Sequence, residues 1–144
     1  MAKFDDASWH WGADNFPNDA PEENGATHIG MFVTWAIERG LFADPDLTPQ
    51  EVEAVEAVRT GSMSGRDFLL RYFNGKLYSD CFTAQVADFA KHHYDDFLAD
   101  FKHLLCQGLR SDYYVEDSRE NYEVMATALD KRWKRYIRGA LGTI

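Results

Sequence analysis

The stretch from Ala26 to Leu41 constrains this chain more than any other. Ile29, Phe32, Val33, Ile37 and Leu41 recur at helical spacing along one face, and His28, Met31 and Trp35 fill the neighbouring face. Beyond its first turn only Thr34, Glu38 and Arg39 are polar, so the predicted helix 26–41 is apolar over most of its circumference. Such a helix has to sit at the centre of a fold with other elements packed around it. It is also far too short and too interrupted to span a bilayer.

Four further helices are predicted around it, most of them with a chemical start signal. Thr48-Pro49-Gln50-Glu51 is a capping box with proline at the first helical position, opening a helix to about Thr60 that Gly61 stops. Val52, Val55 and Val58 line one side of it; Glu51, Glu53 and Glu56 line the other. Ser64 opens a third helix, with Phe68, Leu69, Tyr72 and Phe73 apolar and Asn74-Gly75 as its end. A long pattern from about Phe82 to Leu105 turns Val86, Phe89, His93, Phe97, Phe101 and Leu104/Leu105 inward. Asp117-Ser118-Arg119-Glu120 caps a last helix through about Arg138, with Tyr122, Met125, Leu129, Trp133 and Tyr136/Ile137 inward. Residues 1–24, with Pro17, Pro21 and several turn formers, read as an irregular arm, with Trp9 to Gly12 as a short extended piece. A minor β-hairpin from residues 3–11, or a sheet that uses 112–115 as its other strand, is the secondary alternative. The fold class is therefore mainly α: one domain over 1–144, a bundle of about five helices (25–144) preceded by the arm.

Composition narrows the function classes. A length of 144 residues suits one domain with a real core. Apolar residues at 45% and aromatics at 15% exclude a disordered chain. The net charge of −9 argues against a nucleic-acid partner, which needs clustered Lys and Arg. That charge is uneven. Residues 1–130 carry 24 acidic and 10 basic side chains, whereas Lys131 to Ile144 carry five basic and no acidic ones. Cations at the end of the last helix would match its macrodipole. The first residues lack the apolar core of a signal peptide, and Cys81 and Cys106 fit buried free thiols in a reducing compartment. A cytoplasmic location without membrane association follows as the expectation.

Catalytic motifs are scarce. Gly61-Ser62-Met63-Ser64-Gly65 resembles a nucleophile elbow but places Met63 at the turn. Asp6, Ser8 and His10 share one side only of an extended strand, about 7 Å apart, too far for a relay; local hydrogen bonding that pins the N-terminal segment explains them better. Asp88, His92 and Asp96 follow one helix face at i, i+4 and i+8, where a solvated stripe of Asp–His pairs is expected. His93 falls beside Phe89 and Phe97 and reads as a core histidine. No enzyme activity, cofactor or metal is expected from these patterns.

The densest chemistry lies near the N-terminus, where Asp5, Asp6, Trp9, His10, Trp11, His28 and Trp35 fall within 31 residues. The plain expectation is that Trp9 and Trp11 anchor the arm over the central helix, with His28 hydrogen-bonded beneath them and Trp35 in the core. The alternative is a small metal-dependent enzyme or ligand-binding domain using Asp6, His10 and His28.

Phe4-Asp5-Asp6-Ala7-Ser8-Trp9-His10 and Gly25-Ala26-Thr27-His28-Ile29-Gly30-Met31-Phe32 resemble the blocks of a family of small, acidic bacterial proteins with no assigned activity. Residues 114–122, Tyr-Val-Glu-Asp-Ser-Arg-Glu-Asn-Tyr, are similar to a third block. The resemblance implies a kinship to the small, mainly helical immunity proteins that accompany bacterial toxins. It carries no catalytic residues over. On that reading the chain blocks a cognate toxin domain whose active-site cleft is basic, because acidic surfaces are steered to basic clefts. The expected contact surface is Asp14, Asp19, Glu22 and Glu23 in the loop, or Glu51, Glu53 and Glu56 on the second helix. Trp11, Tyr113 and Tyr114 are the candidate aromatic anchors.

Overall fold

The central helix dictates the arrangement that a computed structural model displays for residues 2–142, with side chains described through Gly139. Helix α2 (Thr27–Glu38) is buried at every position from Thr27 to Ile37. It is shorter than the predicted 26–41. A 3-10 turn over Glu22–Ala26 leads into it, and a Schellman motif closes it. There Gly40 lies at φ 70°, and the amides of Gly40 and Leu41 donate to the carbonyls of Ile37 and Ala36.

Around α2 the capped helices form where their signals stand. Helix α3 (Pro49–Thr60) shows the full capping box of Thr48 and Glu51 and stops at left-handed Gly61. Its inner edge is Ala54 and Val58, however, while Val52 is 54% exposed. Helix α4 (Gly65–Phe73) starts at Ser64, whose hydroxyl accepts from the Asp67 amide. It crosses α2 at a glycine pair. A methyl carbon on Gly30 would fall 2.2 Å from the Arg66 nitrogen, and one on Gly65 would fall 2.2 Å from the Gly30 oxygen. Helix α5 (Ala84–Leu105) buries Val86, Phe89, Ala90, Tyr94, Phe97 and Phe101. His93 is not a core residue: its side chain is 37% exposed and pairs with Asp96 at 3.0 Å. Leu104 faces solvent as well.

Helix α6 (Arg119–Gly142) continues past Arg138, so its cations do not occupy the last turn, and the macrodipole explanation for them fails. Arg132 instead grips Asp100 of α5 with two hydrogen bonds, at 2.6 and 2.9 Å. Lys131, Lys134, Arg135 and Arg138 stay exposed. One aromatic core joins these helices. Phe32 of α2 meets Trp35, Phe82, Tyr94 and Phe97 with ring centroids 5.4–5.7 Å apart. Trp35 is fully buried, as expected, and its indole donates to Asp130 at 2.9 Å.

Residues 3–11 are regular structure and not part of an irregular arm, whereas 12–21 are turns without a regular element, as expected. Strand β1 (Lys3–Asp6) pairs antiparallel with β2 (Lys76–Tyr78), and residues 7–11 form helix α1 (Ala7–Trp11) instead of an extended piece. The sheet is thus no local hairpin, and residues 112–115 do not join it, because Asp112–Tyr114 is a 3-10 turn. Pairing partners 70 or more residues apart leave no local sequence signal. Both cysteines are buried free thiols. Among the described residues no helix is long and apolar enough to cross a membrane.

Candidate functional site

Strand β1 delivers its two aspartates to different tasks. A bulge between Lys3 and Asp5 breaks the strict alternation, and both Asp5 and Asp6 are buried. Asp6 caps α1. Its carboxylate accepts from the Ser8 amide at 2.9 Å, the Ser8 hydroxyl at 2.7 Å and the Lys3 ammonium at 2.9 Å. The local-bonding expectation for Asp6 and Ser8 therefore holds. Asp6 is not the carboxylate that meets the histidines.

Asp5 is. His10, one turn into α1, places Nε2 at 2.8 Å from Oδ1, and His28, in the first turn of α2, places Nε2 at 2.9 Å from Oδ2. The Tyr94 hydroxyl from α5 donates to Oδ2 at 2.7 Å, and the Asp6 amide donates to Oδ1 at 2.8 Å. An ionised carboxylate only accepts, so both Nε2 atoms carry hydrogen in this arrangement. The remaining His10 nitrogen, Nδ1, lies 2.8 Å from the hydroxyl of Tyr113 in the 112–114 turn. The two imidazoles meet edge to face at 4.5 Å, and His28 also packs on Phe101.

Three segments distant in sequence, residues 5–10, His28 and Tyr94, thus converge on one carboxylate. Burial pushes the Asp5 pKa up, but the hydrogen bonds and charges of His10 and His28 outweigh it and hold the group well below the usual carboxylate range. The same burial, with the Asp5 charge beside it, pushes the Tyr94 phenol well above its ordinary value. Side-chain exposure is 4% for Asp5, 6% for His28 and 20% for His10. Only the His10 edge reaches solvent. Sequence reasoning named Asp5, His10 and His28 but missed Tyr94. The signal was a phenol in the inward stripe 86, 90, 94, 97, 101 of α5, where a polar tip needs a partner.

The expected aromatic anchors divide. Tyr113 is buried and committed to His10, so it offers no surface. Tyr114 is half-buried, its ring under the Arg110 guanidinium at 5.0 Å and its hydroxyl donating to Asp19. The indoles of α1 do not close the core over His28. Trp9 is 52% and Trp11 38% exposed. Trp11 nevertheless has a fixed pose, because its indole donates to the Glu22 carbonyl at 2.5 Å and lies against Gly25. The Lys3 ammonium covers the Trp9 ring at 4.9 Å.

Asp14, Asp19, Glu22 and Glu23 are all exposed. On α3, Glu53 is exposed, Glu56 pairs with Arg59, and Glu51 is occupied in the capping box. The Asp88, His92, Asp96 stripe does not converge: His92 and Asp88 are exposed at 3.5 Å, while Asp96 serves His93 and Arg132.

No curated protein and no solved structure matches the chain. A family model described as Domain of unknown function (DUF7832) matches residues 3–115, which include Asp5, His10, His28, Tyr94 and Tyr113 and exclude α6. The chain therefore belongs to the DUF7832 family of domains of unknown function.

Proposed function

We propose that this protein is a non-catalytic inhibitor of the immunity class, acting in the cytoplasm by covering the basic active-site cleft of a cognate toxin domain. The observation that carries the reading is the exposed Trp11, held in one pose beside the exposed carboxylates of Glu22 and Glu23. A tryptophan already fixed in position loses little conformational entropy on binding, and tryptophan is enriched among residues that dominate binding energy. Acidic neighbours speed encounter with a basic partner and exclude acidic ones. Inhibition would be steric, without turnover. The enzyme alternative is weaker because Asp6, one of its three residues, is committed to Ser8 and Lys3, and in the ion-free cluster four donors occupy the Asp5 carboxylate.

Co-expression with the product of the adjacent gene tests the reading. The expected result is rescued growth and a complex that co-purifies. Trp11→Ala should weaken that complex about 30-fold or more, as truncating a central anchor does. Glu22→Lys with Glu23→Lys should slow association and weaken its salt dependence. Glu53→Lys with Glu56→Lys, on α3, should leave association unchanged. A toxic neighbour that neither binds this chain nor is silenced by it refutes the proposal.

A further inference from the structure

We propose that Asp5, His10 and His28 form a binding site for a divalent transition-metal ion of the Zn2+ type, which fastens β1 and α1 to α2. Each residue offers one ligand atom, and the three atoms all lie within 4.8 Å of one another. Asp5 and His10 come from the continuous β1–α1 segment and His28 from α2, so the ion would cross-link that segment to the central helix. Two imidazole nitrogens with one carboxylate suit Zn2+, Co2+, Ni2+ or Fe2+, whereas Mg2+ and Ca2+ require oxygen donors throughout. Three protein ligands also match the coordination number of zinc sites that keep a fourth position for water.

The cluster also carries the outer partners that metal sites use. A ligating imidazole must have Nε2 free of hydrogen, so its proton resides on Nδ1. His10 Nδ1, 2.8 Å from the Tyr113 hydroxyl, then has an acceptor already in place. The Tyr94 hydroxyl and the Asp6 amide continue to donate to the Asp5 oxygens, orienting the carboxylate. On ion binding the two Nε2–H to carboxylate bonds are exchanged for metal bonds of about 2.0–2.2 Å, and each ring proton moves to Nδ1. The exposed Asp88 and His92 pair belongs to no three-residue cluster of ligand atoms among the described residues, which makes it an internal control. This site stands apart from the partner-binding reading, and neither depends on the other.

The test uses the whole chain, stripped with chelator and titrated with ZnCl2 followed by calorimetry, and with CoCl2 followed by visible absorption. One ion per chain, ligand-field bands from Co2+ and a raised melting temperature are expected. His10→Gln and His28→Gln should each weaken binding by more than about 100-fold. Tyr113→Phe, which removes only the outer hydroxyl, should weaken it about 10-fold. His92→Gln should change nothing. Circular dichroism establishes that each variant is folded, and Tyr113→Phe keeps the test valid if a histidine variant is not. The proposal is overturned if the stripped parent binds no Zn2+ at stoichiometric amounts, or if binding survives unchanged in folded His10→Gln or in Tyr113→Phe.

Discussion

Replacing Gly30 by alanine tests the central packing argument. In the middle of α2 alanine is the better helix former by about 1 kcal/mol, so local propensity predicts stabilisation. The crossing with α4 predicts the opposite. The new methyl carbon would fall 2.2 Å from the Arg66 nitrogen and 2.5 Å from its Cα, where about 3.5 Å is the comfortable contact. The overlap of about 1.3 Å is with backbone, which cannot rotate away. Helix α4 must therefore shift, and its shift would disturb the Thr34 side chain packed against Gly65. Overpacking of well-filled interiors costs about 1–3 kcal/mol, and a backbone obstacle belongs at the upper end. The expected net loss is about 2 kcal/mol, a fall in melting temperature of roughly 4–8 °C for a chain of this size. Gly139→Ala is the matched control. It is also helical, but a methyl there meets nothing within 4 Å, so the variant should gain about 0.5 kcal/mol. Urea unfolding of parent and both variants reads the two signs. If Gly30→Ala unfolds at the same urea concentration as the parent or a higher one, the close crossing is wrong.

Two further outcomes follow from charge and burial. Burial raises the Glu38 pKa, but hydrogen bonds from Arg119 and Tyr122 and the charges of Arg119 and Arg39 outweigh it and leave it lowered. A lowered folded-state value means this contribution is complete above the unfolded carboxyl pKa and is lost as pH falls through the folded one. The urea midpoint should thus decline as pH falls below about 5, and more shallowly in Glu38→Gln; equal slopes would discount the Glu38 network. Burial pushes the Cys81 thiol up to about 11 and, with help from Asp112, the Cys106 thiol to about 12. Both should react with a disulfide reagent far more slowly in the native protein than in urea, because the thiolate is the reacting form. Rapid labelling of the native chain would contradict that burial.

The elements legible in the sequence are those whose signals are local. Thr48 and Glu51 lie within one turn, so the start of α3 and its stop at Gly61 were readable from residue types alone. Ser64 and the apolar run of α4 were equally plain. Val52 and His93 were misplaced because periodicity marks a stripe, while the neighbouring helices decide how wide a part of it is covered. Helix α1 has five residues, too few to display a period, so its segment read as extended.

For the candidate site, composition brought Asp5, Asp6, His10 and His28 together as a group, and no local rule could say which aspartate met the histidines. The bulge in β1 and the commitment of Asp6 to Ser8 and Lys3 decided it. By itself the sequence determined that this chain is mainly helical around an apolar centre, because periodicity and capping act over a few residues. Only the tertiary structure decided that β1 pairs with β2 and that Tyr94, 89 residues away, closes the Asp5 cluster. Those contacts depend on where separate elements come to rest, which is set by packing over the whole core.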